Sequence, residues 1–144
     1  MLYAARRDHV ENLIRPALER GVWVLCDRFA DSTRAYQGYG RGVPFSDLAA
    51  LHRMTLGDFS PDLTLILDLP AAEGLARAAR RAHFPDRFER LDPTFHERLR
   101  DGFRRIAADE PERCVLIDAA CDVASVHRAM LAAVGERFGI RLSP

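Results

Sequence analysis

The chain has 144 residues, 48% of them hydrophobic, which is enough apolar material for one domain with a core. Its 21 basic and 21 acidic side chains cancel, so no overall field draws it to nucleic acid or to a membrane surface. No apolar run approaches the length that spans a bilayer.

The elements follow in chain order. Ala4 to Glu19 carries apolar residues at Val10, Leu13, Ile14, Ala17 and Leu18, a helical period that Gly21 ends and Pro16 is expected to kink. VWVLCD (Val22 to Asp27) then reads as a strand, as do LTLILD (Leu63 to Asp68) and CVLID (Cys114 to Asp118). All three runs are continuous rather than alternating, the pattern of strands buried on both faces, and each ends on an aspartate. Ser46 to Leu56 is a helix with Ser46 as its expected N-cap, and Ala71 to Ala82 starts a helix after Pro70. Pro93 to Ala108 has Asp92 as cap and Phe95, Leu99, Phe103 and Ile106 on one face. Asp122 to Phe138 closes the chain. Strands alternating with helices predict an α/β fold with a parallel sheet flanked by helices, and without repeats or low-complexity linkers residues 1–144 are expected to form a single domain.

Ligands of such sheets gather beyond the carboxyl ends of the strands. Asp27, Asp68, Asp118 and Arg28 are therefore expected on one rim. Three cysteines without C-x-x-C spacing (Cys26, Cys114, Cys121) suggest reduced, mostly buried thiols rather than a metal site. With no secretory signal opening the chain, a cytoplasmic protein is expected. The five histidines are scattered and suggest no chemistry. Gly38-x-Gly40-x-Gly42 does not directly follow a strand and reads as a flexible turn.

The segments LYAARRDHV, VLCDRFADSTRAYQGYGRG, LGDFSPDLTLILD and DRFE, in this order, resemble bacterial thymidylate kinases, from Leu2 to about Val134. The resemblance implies a P-loop nucleoside monophosphate kinase fold and transfer of the γ-phosphoryl of ATP to dTMP, giving dTDP, with Mg²⁺ as cofactor. It also implies a role for each matching residue. Arg28 would hold the dTMP phosphate, for which a planar guanidinium offers two parallel donors. Asp27 would sit near Mg²⁺, directly or through water. Leu2, Arg6, Ser32, Thr33, Tyr36 and Gln37 would line the nucleoside pocket, with Arg6 facing the thymine edge. A lid over roughly 76–89 would bring Arg77, Arg80, Arg81 and Arg87 to the ATP phosphates, Arg87 as the catalytic one beside Asp27 and Arg28. The first helix resembles the family's dimer surface, so a homodimer is expected.

Two departures stand out. All 21 basic residues are arginine, so the family's phosphate loop, G-x-x-x-x-G-K-[ST], cannot be written with this sequence. The chain is expected to represent the C-terminal two-thirds or so of the fold, without the N-terminal strand, phosphate loop and helix, and to be inactive alone. Leu2 stands where the family usually has a phenylalanine stacked on thymine, and offers apolar contact without a ring. Two readings stay open. One is a thymidylate kinase chain without its donor loop; the other is a non-catalytic nucleotide-binding or oligomerising module. Arg28 read by itself is an ion-pair partner of Asp27 or Asp31, and only the whole run makes it a phosphate ligand.

Overall fold

The computed structural model describes residues 2–81, without the Arg81 side chain, and 92–142. It divides into two compact units, Met1–Ser60 and Pro61–Pro144.

The first unit begins with the expected helix, in three pieces. α1 (Leu2–His9) passes into a π-helical turn, Val10–Ile14, and returns to α-helix as α2 (Arg15–Glu19). Pro16 accounts for the interruption. It has no N–H for the Asn12 carbonyl and its ring crowds that oxygen, so the turn widens. The Arg15 amide reaches back five residues to the Val10 carbonyl. Gly21, at φ 72°, supplies the left-handed residue that releases the chain. After α3 (Ala30–Thr33) a second π-helical stretch covers Arg34–Tyr39, and α4 (Phe45–Leu56) completes the unit. Its cap is Pro44 rather than Ser46. The helix starts one residue ahead of that serine, whose hydroxyl turns to the Asp47 carboxylate. Tyr3, Val10, Ile14, Phe29, Ala30 and Leu56 form the core, with Val24, Cys26 and Phe59 packed against it.

The predicted strand over Val22–Asp27 is not formed. No strand pairs with this segment among the described residues, and a ladder needs a partner. What survives is the alternation of a one-sided strand. Val24 and Cys26 lean on the core while Leu25 is 99% exposed and Trp23 63%.

In the second unit β1 (Thr64–Asp68) and β2 (Cys114–Asp118) pair in parallel, with Thr64 opposite Cys114 and Asp68 opposite Asp118. Two of the three terminal aspartates thus share a rim. The sheet is less enclosed than continuous apolar runs suggested, since Leu67 and Leu116 are exposed. α5 (Ala71–Arg81) packs on α6 (Pro93–Asp109), α6 packs on both strands, and α7 (Val123–Phe138) packs on β2. Asp92 caps α6 by accepting from the Thr94 amide at 2.9 Å, as expected. The buried stripe of α6 is Phe95, Leu99, Gly102 and Ile106, so Gly102 takes the place foreseen for the half-buried Phe103. Asp122 caps α7 through the Ser125 amide at 3.0 Å, and Gly139 ends it at φ 64°. Cys114 is buried, Cys26 half-buried and Cys121 exposed, all as free thiols.

Candidate acceptor site

The predicted nucleoside-side residues all lie in the first unit, several of them around the junction of α3 with the second π-helical stretch. Arg6 projects from α1 between two rings, its guanidinium carbon 4.9 Å from the centre of Tyr3 and 5.2 Å from that of Phe29. Its Nη2 donates to the Phe29 carbonyl and to Thr33 Oγ1, each at 3.1 Å. Nη1 is buried with no hydrogen-bond partner among the described residues. Burial lowers the Arg6 pKa from its ordinary value and raises that of Tyr3. Arginine retains its charge regardless, so a cationic donor is held in an aromatic slot with both Nη1 N–H groups unused among the described residues.

Arg28 has a φ of 63°, the only non-glycine residue with positive φ among those described. That conformation is sterically disfavoured for a side chain with a Cβ. Its exposed guanidinium lies 5.2 Å from the Tyr36 ring centre and donates to the Tyr36 hydroxyl at 3.1 Å. The rim ion pair with Asp27 or Asp31 is not formed. Asp31 instead pairs with Arg34 at 3.5 Å, one helical turn away, and Asp27 is exposed.

Tyr36 and Gln37 sit in the π-helical stretch, which inserts one extra residue per turn and so re-aims the side chains that follow. Gln37 Oε1 accepts from Arg41 at 3.4 Å, and its carbonyl accepts from the Val43 amide. Ser32 is half-buried, Thr33 buried, and Leu2 61% exposed. The glycine run is not all turn. Gly38 lies inside the π-helical stretch, where an added Cβ would meet the Phe45 ring at 2.5 Å, and Gly42 takes a φ of 74°.

Three features were not foreseen from sequence: the aromatic slot, the burial of Asp31 and the grip of Arg100 on Asp68. Tyr3 and Phe29 make the slot for Arg6. Asp31 is a carboxylate buried to 5% exposure. Its pairing with Arg34 is legible as an i,i+3 spacing, but its burial is not. In the second unit Arg100 grips Asp68 with two parallel hydrogen bonds, 2.8 and 3.0 Å, a contact across 32 residues that no local spacing announces. This pairing holds the Asp68 carboxyl below its usual range. Of the arginines expected in the lid, Arg77 is engaged with Glu73 and two carbonyls while Arg80 is exposed. Arg87 and the Arg81 side chain lie outside the described residues.

The family model named Thymidylate kinase matches residues 1–130. The chain belongs to the thymidylate kinase family. A thymidylate kinase from Nitrobacter hamburgensis is 57% identical over 136 residues, 93% of this chain and 59% of that relative. One from Caulobacter vibrioides is 55% identical over 140 residues, 97% of this chain and 67% of that relative. The crystal structure of thymidylate kinase from Ehrlichia chaffeensis aligns with a TM-score of 0.70 at 35% identity, covering 92% of this chain and 60% of that one. The chain therefore spans about three-fifths of the length of most of these relatives. The α/β architecture with a parallel sheet agrees with this family, and the reading as a non-catalytic module is not favoured.

Proposed function

We propose that this chain carries the acceptor half of a dTMP kinase, which transfers the γ-phosphoryl of ATP to dTMP on the way to dTTP. The observation that carries the reading is that Leu2, Arg6, Arg28, Ser32, Thr33, Tyr36 and Gln37 all belong to one compact unit, and that Arg6–Thr33 and Arg28–Tyr36 are already joined in it. Thymine lies against Arg6, whose unused Nη1 suits a carbonyl on the base edge. Leu2 gives apolar cover without stacking. Ser32, Thr33 and Gln37 offer hydrogen bonds to the nucleoside, and Tyr36 lies near the sugar. The dTMP phosphate is held by the Arg28 fork.

Asp27 is a single exposed carboxylate, and no cluster of three metal-ligating side chains occurs among the described residues. That fits Mg²⁺, which takes one or two carboxylates and fills its shell with water and phosphate oxygens. The metal supplies neutralisation of charge on the transferring phosphoryl, and Asp27 would hold it directly or through water. Arg77, Arg80, Arg81 and Arg87 are assigned to the ATP phosphates, with Arg87 as the catalytic one. The working enzyme is a cytoplasmic homodimer.

Amide chemical shifts of the labelled chain, recorded with dTMP and with thymidine, test the acceptor reading. Both ligands are expected to perturb Arg6 and the 32–37 stretch, and dTMP alone to perturb Arg28. Shifts scattered outside residues 2–45 would refute the assignment.

A further inference from the structure

The backbone polar groups of Ala119 and Ala120, just past β2, are all engaged. The Ala119 amide donates to the Asp68 carbonyl at 2.8 Å, and the Ala120 amide to Asp118 Oδ1 at 2.9 Å. Both carbonyls accept from one side chain. Arg77 Nη1 donates to Ala119 O at 2.9 Å and Nη2 to Ala120 O at 3.4 Å. Arg77 stands on α5, 42 residues earlier in the chain than Ala119. Its Nη2 also meets Glu73, one turn back on the same helix, so its charge is partly neutralised there. Arg80, on the next turn of α5, is exposed.

We propose that Arg77 is a positioning residue, a latch that holds the turn at Ala119–Ala120 onto α5, and not one of the arginines that clamp phosphate. A planar fork reaches two successive carbonyls at once, which a point ammonium does not. The turn's amides are tied to the ends of β1 and β2, and its carbonyls to α5. Breaking the Arg77 contacts leaves the turn on these two amide hydrogen bonds, which then open more often. The middle of α5 is thereby fixed to the turn beyond β2. This deepens the lid reading above by removing one arginine from the phosphate set, and its test does not depend on turnover.

The test is amide hydrogen exchange on the whole chain, comparing Arg77→Ala, Arg77→Lys and Arg80→Ala with wild type. Arg77→Ala is expected to speed exchange at Ala119 and Ala120 by about tenfold or more, with amides of α6 unchanged. Arg77→Lys should recover part of that protection, and it carries the test if Arg77→Ala fails to fold. Arg80→Ala should leave the turn at wild-type rates. Inorganic triphosphate should not speed exchange at the turn in wild type. Unchanged rates at the turn in Arg77→Ala overturn the proposal, as does an equal effect from Arg80→Ala or an equal rise across α6. A rise on adding triphosphate shows Arg77 leaving the carbonyls for phosphate, and overturns it too.

Discussion

Arg28 is held in a conformation that suits glycine, and this separates its cost to the fold from its service to the site. Both Arg28→Ala and Arg28→Gly remove the guanidinium and so lose the same contact with Tyr36, an exposed hydrogen bond with a ring contact contributing about 0.5–1 kcal/mol. Alanine keeps the Cβ and therefore the steric strain at φ 63°. Glycine removes that strain but returns freedom to the unfolded chain, an effect of about 0.4–1 kcal/mol. At a position with positive φ the strain outweighs the entropy, so Arg28→Gly should be more stable than Arg28→Ala by about 1 kcal/mol. Urea unfolding followed by far-ultraviolet circular dichroism, with equal slopes for the two variants, measures the difference. An alanine variant as stable as the glycine variant, or more stable, refutes the strain argument. Neither variant should bind dTMP well, whatever its stability.

Asp68→Asn should destabilise the chain, because Arg100 loses the carboxylate that accepts its two parallel hydrogen bonds. The folded Asp68 pKa is depressed, so its contribution is present above the ordinary aspartate value and fades as pH falls through the folded one. The gap between wild type and Asp68→Asn should therefore close in acid, and a gap constant down to the acid transition contradicts it. The 144-residue chain alone should release no ADP in a dTMP-dependent way, since without lysine it has no phosphate loop to cradle the β- and γ-phosphates. Turnover at ordinary kinase rates in a coupled assay would falsify that expectation.

Much of the second unit was legible in sequence because its signals are local. Asp92 and Asp122 cap helices from adjacent positions, and Leu63–Asp68 and Cys114–Asp118 are short apolar runs that pair with each other. Val22–Asp27 carries the same signal without becoming a strand. An apolar run states a preference, and the hydrogen-bonded partner that realises it is a property of the whole sheet. The proposed acceptor residues were legible as a family pattern, but their arrangement was not. The aromatic slot around Arg6 does not follow from spacing, since it depends on α1 meeting Phe29, 23 residues later in the chain, and nothing local announces the π-helical stretch over Arg34–Tyr39. The left-handed backbone at Arg28 was likewise invisible, because nothing local demands it of an arginine. Such an outlier is maintained by its surroundings, and function is a common reason for it.

The measurement closest to the central claim is calorimetric titration of the chain with dTMP and with thymidine, comparing wild type, Arg28→Ala, Arg28→Lys and Gln37→Ala. A bidentate phosphate contact contributes about 1.5–3 kcal/mol per hydrogen bond when shielded, and less where water reaches the site, as the exposure of Arg28 implies. Arg28→Ala should weaken dTMP at least tenfold and leave thymidine nearly unchanged, and Arg28→Lys should not restore the loss. Gln37→Ala should weaken both ligands alike. Equal losses for dTMP and thymidine in Arg28→Ala would contradict the assignment of Arg28 to the acceptor phosphate.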